Sequence, residues 1–327
     1  MQLSAVGLVL PLSLSVFAQG TVIRKSPEIN KLIPADAKIE KLAGGFQFTE
    51  GPLWLRDGSL VFSDVPGNTI FRWNPTGGQP TVYLRPSGYD KSDAPKGAFV
   101  GSNGLTMDRE GRVVICQHGN GQVVRRENDG KLTVLAGKYE GKRLNSPNDA
   151  VFKSDGSLYF TDPPYGFVGG DDDPKKELKF NGVYRLQEGQ LTLLTKEMTR
   201  PNGIAFSPDE RFLYVANSDE KKKIWMKFPV RSNGTLGPGR VFADVTAETA
   251  DGLPDGMKVD RAGHVFATGP GGVWVFSAEG KHLGTIAAAE VPANVNWGDG
   301  DGKTLYMTAR TGLYRVKLAV AGQKLVY

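Results

Sequence analysis

The chain is poor in the side chains that most often act as nucleophiles or soft metal ligands. Its 327 residues include one cysteine and three histidines. Cys116 has no partner for an internal disulfide, and its neighbours Val114 and Ile115 indicate a buried apolar thiol. The sequence also lacks a G-x-S-x-G segment and any Gly-rich loop between a strand and a helix. Serine or cysteine hydrolase chemistry and nucleotide binding are therefore not expected.

Long apolar runs are absent beyond the N-terminus. Residues 3–17 form an apolar stretch, and Val16 and Ala18 stand at the −3 and −1 positions of a signal-peptidase site. We therefore expect residues 1–18 to be a signal peptide, Gln19 to be the first mature residue, and the protein to be periplasmic or secreted. The alternative is that the apolar stretch forms a buried first strand. No other stretch approaches the roughly 20 apolar residues of a membrane helix, so no membrane span is expected.

A basic surface patch is also missing. Lys and Arg number 40 against 35 Asp and Glu, a formal net charge of +5, yet only Lys221, Lys222 and Lys223 form a run. Nucleic-acid-binding proteins cluster their basic residues on one face. We interpret the run as a solvated turn and expect no nucleic-acid partner.

What the chain does contain is a unit that repeats six times. Each copy begins with a polar anchor residue, which stands beside Gly or Pro in five of the six copies, and continues through an apolar pair and a D-G-like turn to a strand rich in Val, Phe and Tyr. The anchors, at intervals of 39 to 54 residues, are Glu50, Asn103, Asn148, Asn202, Asp255 and Asn294. Repeats of about 40 to 50 residues with several strands each are typical of propeller blades.

The repeat predicts an all-β fold, a six-bladed β-propeller of four-stranded antiparallel blades around a central metal-binding channel. We assign residues 38–327 to the propeller and residues 19–37 to an N-terminal extension. No long segment shows the apolar periodicity of an α-helix. Each anchor precedes the innermost strand of its blade, so the six anchor side chains should converge on one mouth of the channel.

The chemistry of the anchors indicates a hard cation. Two are carboxylates and four are carboxamides, and none is His or Cys. Oxygen-only ligands suit Ca²⁺ or Mg²⁺, whereas a closed zinc site favours His or Cys. The alternative is that Asn and Asp before Gly merely form turns. That alternative does not account for Glu50 at one of the six equivalent positions.

Several longer segments carry a resemblance to a known family. They are Glu50-Gly51-Pro52, Cys116-Gln117-His118-Gly119-Asn120, Arg143-Leu144-Asn145-Ser146-Pro147-Asn148-Asp149, Tyr159-Phe160-Thr161-Asp162-Pro163-Pro164-Tyr165-Gly166, Arg200-Pro201-Asn202-Gly203 and Leu253-Pro254-Asp255-Gly256-Met257. Together they resemble the regucalcin/gluconolactonase family of calcium-dependent six-bladed propellers, and most of all its bacterial gluconolactonases. The resemblance covers essentially the whole mature chain.

The resemblance implies a metal-dependent hydrolase that opens a sugar lactone. One divalent ion would be held by Glu50, Asn148, Asn202 and Asp255; Ca²⁺ is the expected ion, and Mg²⁺, Mn²⁺ and Zn²⁺ are the alternatives. Such an ion polarises the carbonyl group for attack by water. The two carboxylates would neutralise it and leave coordination positions for water and a substrate oxygen.

The general base and the substrate contacts are less determined. Asp255 matches the family's proposed base, and His118, 15 residues beyond Asn103, is the competing candidate. We expect the remaining anchors to bind substrate and further polar residues to line the mouth: Asn103, Asn294, Arg143, Asp162 and Tyr165. Asp162 has the alternative of a structural residue at a strand end. Residues 169–173 lack the ordered spacing of an EF-hand and are expected to form a flexible loop over the mouth.

Two other functions fit the same sequence. Related propellers use this kind of site on phosphotriesters or aryl esters, and a non-catalytic propeller would keep calcium only for stability. The partner expected in either catalytic case is a small lactone or ester. The sequence leaves the oligomeric state open.

Overall fold

The computed structural model describes residues 19–323, so the expected signal peptide lies outside the described residues. The described chain is almost entirely β-sheet, with two short 3₁₀ helices, Pro27–Lys31 and Gly170–Asp172. Its strands form six antiparallel sheets arranged as the blades of a propeller, so the predicted fold class is confirmed. Within residues 19–323, no helix is long and apolar enough to cross a bilayer.

The strands follow the repeat closely. Before the first blade come β1 (Gly20–Arg24) and β2 (Ile39–Gly44). Blade 1 contains β3 (Thr49–Trp54), β4 (Leu60–Asp64), β5 (Thr69–Trp73) and β6 (Thr81–Leu84). Blade 2 contains β7 (Ser102–Met107), β8 (Val113–Gln117), β9 (Gln122–Arg126) and β10 (Leu132–Ala136). A ribbon of β11 (Lys138–Tyr139) and β12 (Lys142–Arg143) connects blade 2 to blade 3.

The remaining four blades complete the ring. Blade 3 contains β13 (Ala150–Phe152), β14 (Leu158–Asp162), β15 (Gly182–Gln187) and β16 (Gln190–Thr195). Blade 4 contains β17 (Pro201–Phe206), β18 (Phe212–Asp219), β19 (Lys222–Pro229) and β20 (Arg240–Asp244). Blade 5 contains β21 (Met257–Val259), β22 (Val265–Gly269), β23 (Gly272–Phe276) and β24 (His282–Ala288). Blade 6 contains β25 (Pro292–Gly298), β26 (Thr304–Ala309) and β27 (Gly312–Lys317).

The two N-terminal strands complete the last two blades. β2 pairs antiparallel with β27, with Ile39 opposite Val316, so blade 6 takes its outer strand from the start of the chain. β1 pairs with β24, with Gly20 opposite Ala288, and adds a fifth strand to blade 5. Residues 19–37, expected to be an extension, therefore contribute a strand to the propeller. These pairings close the ring of blades by hydrogen bonds between the two ends of the chain.

The tight turn between the first two strands is the same in every blade. Its last residue has a positive φ: glycine in five blades, as in Gly58 at 81°, and Glu210 at 54° in blade 4. Glycine has no Cβ to oppose this left-handed conformation. The D-G-like turns in the sequence therefore correspond to hairpins at the end of the channel opposite the anchors.

Candidate functional site

The anchor residues meet their neighbours around the ring. At four junctions the glycine after one anchor packs against the next anchor so closely that a Cβ would collide with it. The pairs in contact are Gly51 with Asn103, Gly104 with Asn148, Gly203 with Asp255, and Gly256 with Asn294. At the other two junctions Thr161 Oγ1 donates to the Asn202 carbonyl oxygen at 2.7 Å, and Asn294 Nδ2 donates to Glu50 Oε2 at 3.0 Å. The structure thus brings all six anchors together at one mouth.

Four anchors present oxygen atoms that are buried and have no hydrogen-bond partner. They are the Oδ1 atoms of Asn103, Asn148, Asn202 and Asp255. A buried carbonyl or carboxylate oxygen without a donor costs roughly 1–3 kcal/mol, and more when it is charged. Four such atoms in one ring indicate a shared cation-binding site rather than four independent packing defects.

Neighbouring side chains orient two of the amides so that the oxygen faces inward. Asn202 Nδ2 donates to Ser218 Oγ at 3.0 Å, and that hydroxyl donates in turn to the Pro254 carbonyl oxygen. Asn148 Nδ2 lies 3.5 Å from His118 Nε2. Because each amide nitrogen faces one of these side chains, each Oδ1 is left without a hydrogen-bond partner and can bind a ligand.

Glu50 is held in a fixed position and is almost completely buried. Its Oε2 accepts from the Gly51 backbone N–H at 2.7 Å and from Asn294 Nδ2. Burial raises the pKa of Glu50 to about 7. Burial also raises the pKa of Asp255 well above its usual range, and the negative charges of Glu50 and Asp149 raise it further. Carboxylates with this tendency to protonate are stabilised as anions when a cation lies between them.

These residues fit a divalent cation. Among residues 19–323, no cluster of three or more His, Cys, Asp or Glu side chains forms a metal site. A cation at this mouth would therefore rely on amide oxygens beside Glu50 and Asp255. Carboxylate and amide oxygens are the donors that Ca²⁺ prefers. The four residues expected to bind metal, Glu50, Asn148, Asn202 and Asp255, all meet this requirement.

His118 lies at the site, and both of its ring nitrogens face other groups of the protein. Its Nδ1 lies 3.1 Å from the Phe99 carbonyl oxygen, which can only accept, so the proton is on Nδ1. Burial lowers the pKa of His118 to about 4. The imidazole is therefore neutral near pH 7, and its Nε2 lone pair faces the Asn148 amide. This arrangement suits a residue that orients Asn148.

The two remaining anchors, Asn294 and Asn103, differ in whether their side-chain oxygen has a hydrogen-bond partner. Asn294 is fully engaged, since its Nδ2 donates to Glu50 and its Oδ1 accepts from the Val295 N–H at 2.8 Å. It therefore positions Glu50. Asn103 keeps its Oδ1 unpartnered, while its backbone oxygen accepts from Ser63 Oγ at 2.8 Å. Asn103 thus remains available to a substrate or a cation.

Arg143 and Asp162 are used to hold the loop before Asn148. The Arg143 guanidinium donates to four backbone carbonyl oxygens, including those of Asn145 at 2.6 Å and Gly119 at 2.8 Å. Asp162 Oδ2 accepts from the Asn145 backbone N–H at 2.8 Å, and burial raises the pKa of Asp162 to about 7. These contacts favour the structural alternative for Asp162 and give Arg143 the same kind of role.

Tyr165 does line the mouth. Its hydroxyl donates to the Ser218 carbonyl oxygen at 3.3 Å, and burial together with the negative charge of Asp255 raises its pKa. Beyond Tyr165 opens a cavity of about 860 Å³ that Arg200 and Leu253 also line. The segment between β14 and β15 borders this cavity and contains the 3₁₀ helix where a loop was expected, with Asp171 accepting from Asn181 Nδ2 at 3.0 Å.

Sequence reasoning assigned no role to two charged residues inside the channel. Asp149 directly follows the anchor Asn148, and its carboxylate is almost completely buried. Lys258 follows Asp255 by three residues, and its Nζ lies 3.9 Å from Asp149 Oδ2. The sequence feature that could have identified Lys258 is a lysine at the position that Leu53, Val151 and Ala205 occupy in other blades.

The chain matches one protein family over most of its length. Residues 48–311 match the model of the family described as SMP-30/Gluconolactonase/LRE-like region. A gluconolactonase of Zymomonas mobilis is 36% identical over 315 residues, which cover 93% of this chain and 87% of that protein.

A solved structure and a more distant relative agree with this match. A gluconolactonase of Xanthomonas campestris has a TM-score of 0.80 and 32% identity, covering 95% of this chain and 99% of that one. The diisopropyl-fluorophosphatase of Loligo vulgaris is 23% identical over 277 residues, covering 79% of this chain and 84% of that protein.

Proposed function

Since this chain belongs to the SMP-30/gluconolactonase/LRE-like family, we propose that it is a metal-dependent lactonase that hydrolyses a sugar lactone. The observation that carries the proposal is the ring of buried, unpartnered Oδ1 atoms beside two carboxylates. The gluconolactonase relatives of Zymomonas mobilis and Xanthomonas campestris supply the substrate class.

Glu50, Asn148, Asn202 and Asp255 would hold the cation, with Ca²⁺ as the expected ion. When bound, a divalent cation acts as a Lewis acid that polarises the lactone carbonyl group. Mg²⁺, Mn²⁺ and Zn²⁺ are the alternatives, because carboxylate oxygens bind each of these ions as well.

Asp255 is the proposed general base. Its Oδ1 is free of hydrogen bonds. With one carboxylate oxygen on the cation, the other could take a proton from water as the water oxygen bonds to the carbonyl carbon. The ring C–O bond then breaks, and the leaving oxygen gains a proton to give the open hydroxy acid. Asn103 Oδ1 and the Tyr165 hydroxyl lie at the same mouth and are the proposed substrate contacts.

Chelation is expected to abolish hydrolysis of gluconolactone. The buried carboxylates of Glu50 and Asp255 repel each other without a cation, so the site should bind a divalent ion and depend on it. The measurement is turnover of gluconolactone, an aryl ester and a phosphotriester by metal-free protein, alone and with Ca²⁺, Mg²⁺, Mn²⁺ or Zn²⁺ added. Gluconolactone with Ca²⁺ should give the highest rate.

The same screen separates the competing functions. A phosphotriester turned over faster than any lactone would favour the second candidate, which the Loligo vulgaris relative suggests. Metal-free protein that hydrolyses gluconolactone at full rate would contradict metal dependence. Protein that binds Ca²⁺ and hydrolyses none of the three substrates would favour a non-catalytic propeller.

We also propose export from the cytoplasm, followed by cleavage after Ala18. The Gln19 N–H donates to the Ile39 carbonyl oxygen, and the Gln19 carbonyl oxygen accepts from the Ala289 N–H, both at 2.8 Å. Cleavage after Ala18 would leave both of these hydrogen-bonding groups on the mature chain. Intact mass of protein from the periplasm or medium of the native host should correspond to a chain that starts at Gln19. Cytoplasmic protein that still starts at Met1 would contradict export.

A further inference from the structure

Lys258 occupies a position in the channel where a charge is unexpected. It lies on the innermost strand of blade 5 and lines a cavity of about 460 Å³ at the end of the channel opposite the anchors. The equivalent positions Leu53, Val151 and Ala205 line the same cavity with apolar side chains. The Lys258 side chain is only 19% exposed. Burying an ammonium group among apolar neighbours costs free energy unless an opposite charge lies close by.

The opposite charge is Asp149, on the other side of the channel in blade 3. Lys258 Nζ donates to the Met257 carbonyl oxygen at 3.0 Å and lies 3.9 Å from Asp149 Oδ2. Asp149 Oδ1 accepts from the Ala150 N–H at 2.9 Å, whereas Oδ2 is buried without a hydrogen-bond partner. The ammonium group is therefore positioned to compensate the Asp149 charge electrostatically.

Asp149 and Lys258 belong to the same set of charges as the proposed metal ligands. Asp149 directly follows the proposed ligand Asn148, and a Cβ on Gly104 would meet both the Asn148 carbonyl oxygen and Asp149 Oδ1. Together, the carboxylates of Glu50, Asp255 and Asp149 and the ammonium group of Lys258 carry a net charge of two negative units. One divalent cation neutralises that remainder.

We propose that Lys258 is a fixed counter-charge that, together with Asp149, sets the affinity of the metal site for a single divalent ion. Lys258 is a positioning residue in this role, because it neutralises Asp149 and touches neither substrate nor cation. The inference rests on the proposed function, since it assumes that the anchors hold a cation. It also accounts for a lysine at a position that is apolar in blades 1, 3 and 4.

The test is a double-mutant cycle on Ca²⁺ affinity. Metal-free wild type, Lys258→Met, Asp149→Asn and the double variant are titrated with Ca²⁺ by calorimetry at one ionic strength. A unit charge about 10 Å from a divalent ion changes its affinity by about tenfold when the effective dielectric lies between protein and water. Lys258→Met should therefore bind Ca²⁺ about tenfold more tightly, Asp149→Asn about tenfold more weakly, and the double variant close to wild type.

The exposed Lys303→Met variant is the matched control, and its affinity should stay unchanged. Lys258→Met that is folded by circular dichroism and binds Ca²⁺ no more tightly than wild type would overturn the inference. So would a double variant that binds as weakly as Asp149→Asn alone. If Lys258→Met fails to fold, Asp149→Asn carries the test, and unchanged affinity overturns the inference. Wild type that binds no divalent ion would instead overturn the proposed function, on which the inference depends.

Discussion

Asp255→Asn is expected to lower gluconolactone turnover at least about a hundredfold at saturating Ca²⁺. Asparagine keeps the size of the side chain and one donor oxygen, but it cannot take a proton from water. Loss of a general base typically costs 10²- to 10⁴-fold. The Asp255 Oδ1 atom is unpartnered and lies in the anchor ring, so the carboxylate could reach a water molecule at a cation held by the anchors. The measurement is turnover with metal occupancy determined in the same samples, so that lost binding is not mistaken for lost chemistry.

His118→Asn is the informative comparison. His118 donates from Nδ1 to the Phe99 carbonyl oxygen and faces the Asn148 amide with Nε2, so its loss should disturb the orientation of Asn148 and cost much less. Asp129→Asn, in an exposed turn, is the control for the substitution itself and should be neutral. Near-normal turnover of Asp255→Asn together with an inactive His118→Asn would make the histidine the base. Full activity in both variants would contradict the metal-site mechanism as a whole.

The anchor ring was predictable because local sequence carries a direct trace of it. Each anchor stands at the same place in a repeat, and a glycine follows four of them where the next anchor residue leaves no room for a Cβ. Glu50 and Asp255 were identified for the same reason. The period of the repeat and the oxygen chemistry of the anchors together predicted the six blades and the position of the mouth.

Features that depend on contacts between residues far apart in the sequence have no such local sequence signal. The pairing of β2 with β27 joins the two ends of the chain, and nothing in residues 39–44 alone specifies that partner. The roles of Arg143 and Asp162 depend on which backbone groups the fold places beside them, so residue type and position near the mouth suggested substrate contacts instead. Lys258 becomes meaningful only when Asp149 is found across the channel.

Glu50→Gln is expected to weaken Ca²⁺ binding at least about thirtyfold. A unit charge 4 Å from a divalent ion contributes about 2 kcal/mol even at the dielectric of bulk water, which corresponds to roughly thirtyfold in affinity, and burial increases that figure. The glutamine oxygen can still accept from the Gly51 N–H and from Asn294 Nδ2, so the variant should keep its fold. Calcium titration of metal-free protein by calorimetry measures the change.

The same substitution should have opposite effects on stability with and without metal. Without a cation, Glu50 is a buried carboxylate that burial pushes towards protonation, so at pH 8 its charge destabilises the folded state. Glutamine removes that charge, and the metal-free variant should be more stable than metal-free wild type by about 1–3 kcal/mol. With excess Ca²⁺ the order should reverse, because the wild type gains more binding free energy. Denaturant unfolding in chelator and in Ca²⁺ gives both values, with Glu28→Gln, at a surface ion pair with Lys281, as the control. If Glu50→Gln is less stable than wild type under both conditions, Glu50 serves the fold rather than the cation, and the proposed ligand set is wrong.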